Sequence, residues 1–146
     1  MLKNLACCYK AVPHSTFGSI ALFLLRVYTG VAFVFHGWGK IQNPFSWMGA
    51  DAPVPGILQF LAAFSEFGGG IALILGLLTP LAALGLAFTM AVAVHMHAIV
   101  RQDPFVNMTG GASYEPALGY LVISILIIAM GPGKFSLDAK LFGTRS

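Results

Sequence analysis

The sequence predicts an all-α membrane protein: a bundle of four transmembrane helices with both termini in the cytoplasm. Three observations carry this expectation. Of the 146 residues, 58% are hydrophobic and only 9% are charged. An ordinary soluble domain has about 25% charged residues, so this chain has too little polar surface to face water. Four apolar runs recur, at about 17–37, 56–78, 80–100 and 114–130. Each is long enough to cross roughly 30 Å of hydrocarbon at 1.5 Å per residue. Finally, the Lys and Arg residues are unevenly shared between the segments that join the runs. At this length the chain reads as one membrane domain, residues 1–146.

The leader before the first run carries Lys3, Lys10 and Pro13, together with two adjacent cysteines, Cys7 and Cys8. Neighbouring cysteines seldom bridge each other, and no apolar stretch precedes them as a lipoprotein signal requires, so they read as inert or regulatory thiols. The first run is too long for a cleaved signal and lacks a small-residue cleavage site. Only Thr79 separates the second and third runs, which predicts a tight helical hairpin with Pro80 opening the third helix. After the fourth run, "GPGKFSLD" makes a sharp turn. Ser136 then N-caps a short helix with Asp138 in its first turn. With Phe135, Leu137, Leu141 and Phe142 alternating with Lys134, Lys140 and Arg145, this tail suits the cytoplasmic membrane surface.

Orientation follows from the basic residues. Lys3, Lys10, Lys134, Lys140 and Arg145 fall on one side, Lys40 and Arg101 on the other, so the positive-inside rule puts the termini in the cytoplasm. The net charge of +3 comes from few groups. It suits anionic lipid headgroups and makes no case for nucleic acid.

Two charges lie inside apolar runs: Arg26 in "ALFLLRVYTGVAFVF" and Glu66 in "SEFGGGIALILGLLTP". A lone ion near the bilayer centre costs roughly 2.5–3.5 kcal/mol even on the lenient insertion scale. Each sits about midway along its run, on antiparallel neighbours, so the reading is a buried Arg26–Glu66 structural ion pair. Gly68, Gly69 and Gly70 would let a neighbouring backbone approach beside it. At 100° per residue, Arg26, Thr29, Phe33, His36, Gly37 and Lys40 share one face of the first helix, and Gln59, Ala62, Glu66, Gly70 and Leu73 one stripe of the second. His95 and His97 come to the same outer end from the third run, Tyr114 and Glu115 from the fourth. The expectation is one polar pocket in the outer half, with Arg26, His36, Lys40, Gln59, Glu66, His95, Tyr114 and Glu115 as its ligand-binding residues.

Three uses fit such a pocket. His and carboxylate groups ligate metals, but His95 and His97 are about 200° apart on a helix. A haem would need His36 to face His95, and no dedicated motif supports it, so no metal site is expected. A quinone fits better, since His, Tyr, Arg and Glu can bond ring oxygens and exchange protons, with Phe33, Phe64 and Phe67 packing the ring or tail. The third use is structural, polar groups locking helices together, with His97 and Trp38 reading as interfacial residues. The first outer loop, "IQNPFSWMGADAPVP", with Trp47, Asp51 and three prolines, reads as a surface loop, as a lid over the pocket or as a dock for a partner.

The runs "LLRVYTGVAFVFHGWGK", "SEFGGGIALILGLLTPLAAL" and "YEPALGYLVISILIIAMGPGKFSLD" resemble the DoxX family of small four-helix membrane proteins, over roughly residues 17–142. The resemblance implies a four-helix bundle with the helix-one Arg and helix-two Glu, here Arg26 and Glu66, in the inner membrane of a bacterium. It also implies association with membrane redox systems, since relatives are described as a quinol oxidase subunit and as partners in thiosulfate and oxidative-stress complexes. No nucleotide loop, hydrolase elbow or zinc motif appears. Any activity of its own would be as an oxidoreductase subunit acting with a partner. The reading is therefore a redox-accessory membrane protein with a quinone-like ligand, working with an oxidoreductase partner or as a homo-oligomer. The alternative is a non-enzymatic scaffold or small-solute carrier whose Arg–Glu pair is structural.

Overall fold

The computed structural model describes residues 9–49 and 51–144; Lys3, Cys7, Cys8 and Arg145 lie outside the described residues. Ser15 opens the first long helix, α1 (Thr16–Ile41), its hydroxyl accepting from the Gly18 N–H at 3.1 Å. That bond satisfies one of the first-turn donors a helix leaves free. The helix runs four residues beyond the expected Gly37 and stops before Pro44. α2 (Gly56–Leu75) ends three residues before the expected Leu78. Gly76 takes the left-handed conformation there (φ 65°) and turns the chain, the usual glycine ending of a helix. The connection to α3 (Thr79–His95) is thus Gly76–Leu78 rather than Thr79 alone, and Pro80 lies in the first turn of α3 as expected. α3 continues as a five-residue π-helical turn, Met96–Val100. α4 is Glu115–Met130, and a short α5, Leu137–Phe142, closes the fold. The described residues contain no β-strand, only an isolated bridge between Ala11 and Thr144.

α1, α2 and the α3 span through Val100 are long and apolar enough to cross a membrane, while α4 is a shorter apolar helix of 16 residues, about 24 Å long. The outward faces carry Phe17, Phe35, Phe64, Phe88, Val92 and Ile125, all more than half exposed. The central cluster of buried apolar side chains is small: Phe33, Leu73, Ala83, Leu86, Met90 and Ile127. A chain with so little inside and so much apolar surface outside is covered by lipid. This is a multi-pass membrane protein.

Helices pack in chain order, α1 on α2, α2 on α3 and α3 on α4, but α1 barely touches α4. The row therefore leaves a loose seam along one side. The α1–α2 contact is the tightest because glycines interlock. A Cβ on Gly30 would fall 2.6 Å from the Gly70 carbonyl oxygen, and one on Gly70 would fall 2.8 Å from that of Gly30. One on Gly37 would fall 2.5 Å from the Phe67 nitrogen. The first and last described segments meet at one end of the bundle. The Ala11 N–H donates to the Gly143 carbonyl at 3.0 Å, and the Tyr9 and Phe142 rings lie 5.4 Å apart.

Ser136 caps α5 as expected, accepting from the Ala139 N–H at 3.1 Å. The tail does not simply lie on the membrane surface, however. Ser136 and Asp138 are buried, while Phe135 and Leu141 face outward. The segment is folded half into the bundle's end.

The glycine contacts give a direct test. Gly37→Ala should destabilise by about 1–3 kcal/mol, the usual range for overpacking, because its new methyl meets backbone. Gly39→Ala, which would meet nothing within 4 Å, should be neutral or stabilising. Thermal melting in detergent separates the two, and equal effects would mean that the glycines do not set the α1–α2 contact.

Candidate functional site

The glycine contacts fix the antiparallel register, and the register decides where each charge can reach. Gly30 lies opposite Gly70, and Gly37 opposite Phe67, so Glu66 is level with the region just beyond Gly37. Arg26 is eleven residues back along α1, about 16 Å away at 1.5 Å per residue. The expected Arg26–Glu66 ion pair is therefore corrected: each residue has a different partner.

Arg26 belongs to the end where the first and last described segments meet. Its side chain is fully buried, and its guanidinium donates to the Leu73 carbonyl at 3.1 Å and to the Phe135 carbonyl. It thus bridges the last turn of α2 to the tail. Asp138 completes this junction. One carboxylate oxygen accepts from the Leu78 N–H at 2.7 Å and the other from the Thr79 N–H at 2.8 Å. The Asp138 N–H donates to the Gly76 carbonyl at 2.9 Å. A carboxylate here satisfies first-turn donors of α3 and complements its dipole, while remaining in the first turn of α5. Gly76 has no room for a side chain, because a Cβ would lie 2.6 Å from Ser136 Cβ.

Glu66 belongs to the opposite end. It is 2% exposed, and its two oxygens accept from the Lys40 ammonium at 2.6 and 2.7 Å. The Lys40 nitrogen lies 4.6 Å from the centre of the Trp47 ring, within cation–π range. Gln59 is buried beside this group and fastens the first outer loop. Its side chain accepts from the Met48 N–H at 3.0 Å and donates to the Val54 carbonyl at 2.9 Å, while its backbone carbonyl accepts from Trp47 Nε1 at 2.9 Å. The loop thus lays its Trp47 ring against the Lys40 ammonium and is bonded to α2 through Gln59.

The remaining expected site residues do not join that cluster. His36 is exposed on α1, its ring 6.2 Å from that of Tyr120. Glu115 is exposed at the start of α4 and lines the α1–α4 seam with Tyr28, Pro116, Gly119, Tyr120 and Ile123. The seam is an open groove of about 390 Å³. His95 is exposed on α3, a helix separated from α1 by α2. Tyr114 packs its ring 5.3 Å from Phe105. His97, by contrast, has a partner: its Nδ1 lies 2.7 Å from an Asp103 carboxylate oxygen. Among the described residues, no three His, Cys, Asp or Glu side chains gather as a metal would require. The expected single pocket thus separates into the Lys40–Glu66 cluster beneath its loop and a groove holding Glu115 with His36 beside it.

Reading the sequence missed Asp138 as a buried cap, Lys40 as the partner of Glu66, and Tyr28 and Tyr120 as groove residues. Lys40 was signalled, since it shares the Arg26 face and sits in the last turn of α1. Asp138 carried no such signal, because its ligands lie about sixty residues away.

The DoxX family model matches residues 21–99, which include Arg26, Lys40 and Glu66 and stop short of α4 and the tail. The chain is 32% identical over 132 residues to the inner membrane protein YqjF of Escherichia coli, covering 84% of this chain and 92% of that one. It is likewise 32% identical over 123 residues to an uncharacterized protein of Haemophilus influenzae, covering 83% and 90%. No solved structure matches.

A double-mutant cycle checks the two junctions. Lys40→Ala and Glu66→Ala should be coupled by about 0.5–3 kcal/mol, as contacting residues are, whereas Arg26→Ala and Glu66→Ala should add within about 0.5 kcal/mol. Coupling between Arg26 and Glu66 in detergent melting would contradict the register.

Proposed function

Because the chain belongs to the DoxX family, we propose that it acts as an accessory component of a membrane redox system and holds a quinone-like ring in the α1–α4 groove. The observation that carries this reading is the seam itself. The helices that follow one another in sequence pack together, yet α1 and α4 part around a groove of about 390 Å³, within the range of small-molecule sites. Tyr28 and Tyr120 bring hydroxyls to its wall, Glu115 a carboxylate to its rim, and His36 an imidazole beside Tyr120. Polar groups facing hydrocarbon are costly unless something bonds to them. A ring with oxygens at opposite edges and an apolar tail meets that need from the lipid side. His36 and Glu115 can exchange protons with it.

In this reading Arg26, Lys40, Gln59 and Glu66 hold the fold and the outer loop, and His95 and Tyr114 stay outside the groove. The electron-transfer chemistry belongs to a partner oxidoreductase. The second reading, a non-enzymatic scaffold or solute carrier, is favoured by one observation: Arg26 and Glu66 are both engaged in contacts that tie elements together.

Gly119 separates the two readings. A Cβ there would meet nothing within 4 Å, so Gly119→Leu should fill the groove without lowering the melting temperature. We expect it to abolish binding of a short-chain benzoquinone to the purified protein. Tyr120→Phe, Glu115→Gln and His36→Ala should each weaken binding about tenfold, the loss of roughly one hydrogen bond. If the parent binds no such quinone, or Gly119→Leu binds it equally, the groove reading fails and the scaffold reading stands.

The chain sits in the inner membrane as a single domain, with the end that carries Lys10, Lys134 and Lys140 facing the cytoplasm. In a variant without Cys7 and Cys8, cysteines at Asn43 and Met108 should react with an impermeant maleimide outside intact cells. One at Leu141, which is exposed, should react only after permeabilisation. The opposite pattern would invert the topology.

A further inference from the structure

Two carboxylates are buried in this bundle, and they are held in opposite ways. Asp138 accepts from two backbone N–H groups at the start of α3, donors that cannot leave without unfolding the helix. Among the described residues, Glu66 accepts only from the Lys40 ammonium, the end of a flexible four-carbon chain. The wall around Glu66 supplies a carboxylate and an indole face, the Trp47 ring 4.6 Å from the bound nitrogen. A buried carboxylate beside an aromatic face is the chemistry that recognises ammonium groups. Lys40 also has a way out: its side chain is 26% exposed, against 2% for Glu66. The covering loop is fastened to α2 through Gln59 and Trp47, so the site can open without disturbing the helix contacts.

We propose that Glu66 and Trp47 form a binding site for a small organic ammonium cation, and that Lys40 occupies this site in the ligand-free protein. An incoming cation replaces one ammonium with another, so the buried charge balance is preserved while Lys40 swings into the aqueous layer. This site is distinct from the α1–α4 groove and does not depend on what the groove binds. Lys40 acts as a tethered competitor, whose high effective concentration makes the unmodified protein a weak binder that discriminates by the aromatic contact.

The test uses the full chain in nanodiscs with Trp38→Phe, so that Trp47 alone reports by fluorescence. Titration with tetramethylammonium chloride, against sodium chloride at equal ionic strength, should give a saturable change that sodium does not. Adding Lys40→Ala should lower the apparent Kd at least about tenfold, and tetramethylammonium should raise the melting temperature of that variant. Glu66→Gln should abolish the response in either background, and Gly119→Leu should leave it intact. If Lys40→Ala does not fold, the comparison of the parent with Glu66→Gln still decides. No response beyond sodium in the parent and in Lys40→Ala, or a response that survives Glu66→Gln, would overturn the proposal and leave Lys40–Glu66 as a structural pair.

Discussion

The fit of α1 against α2 governs the rest of this molecule. Gly30 and Gly70 press backbone against backbone, and Gly37 does the same against Phe67. In a membrane, where lipid is as apolar as a leucine surface, such small-residue contacts replace the hydrophobic force that drives helices together in water. Because the contact is backbone on backbone, sliding by one residue would force overlap. The register is therefore stiff. Its consequence is electrostatic: the two ions within the apolar runs are held about 16 Å apart, too far to neutralise each other, and each must be matched at its own end of the bundle.

The two ends solve that problem with different chemistry. At the end where the first and last described segments meet, Arg26 is matched by carbonyl oxygens of α2 and the tail, and Asp138 by N–H groups of α3. Every partner is backbone, so the junction is rigid and ties three segments of chain together. At the opposite end Glu66 is matched by one side-chain ammonium reaching from the last turn of α1. That ammonium sits beside a loop held to α2 by Gln59, Trp47 and the stacked Phe45 and Phe60 rings. The same charge requirement produces a clamp of backbone partners at one end and a side-chain ion pair at the other. The loose α1–α4 seam adds an open groove on one flank, so the fold combines a fixed end with a looser side.

Much of the architecture was legible in the sequence, and the parts that were not share a cause. The apolar runs marked all four long helices, with α2, α3 and α4 starting within a residue of expectation. Pro80 and the Ser136 cap behaved as local chemistry requires. What failed was distance between elements. Placing Arg26 and Glu66 each near the middle of its run ignored that α1 extends to Ile41 and that glycines, not midpoints, set the alignment. Asp138 reads as a first-turn residue of α5, and it is one. That it also caps α3 follows from the tail folding inward, which no local pattern encodes. Tyr28 was invisible because it lies about 200° round α1 from Arg26, and Tyr120 because its approach to Phe33 and His36 is a contact between distant elements.

The tail also explains why so short a protein tolerates a fully buried guanidinium. A charge without partners in hydrocarbon is expensive, and Arg26 has no carboxylate bonded to it. Its two bonded carbonyls are that of Leu73 in the last turn of α2, which also accepts from the Gly76 N–H at 3.2 Å, and that of Phe135 in the irregular "GPGKFSLD" turn. The Phe135 carbonyl gains a donor in the guanidinium, and two of the guanidinium's nitrogens gain backbone acceptors, while its Nε has no partner among the described residues. The internal arginine, the glycine that ends α2 and the turn after α4 are therefore one structural unit, although more than a hundred residues separate its ends in sequence.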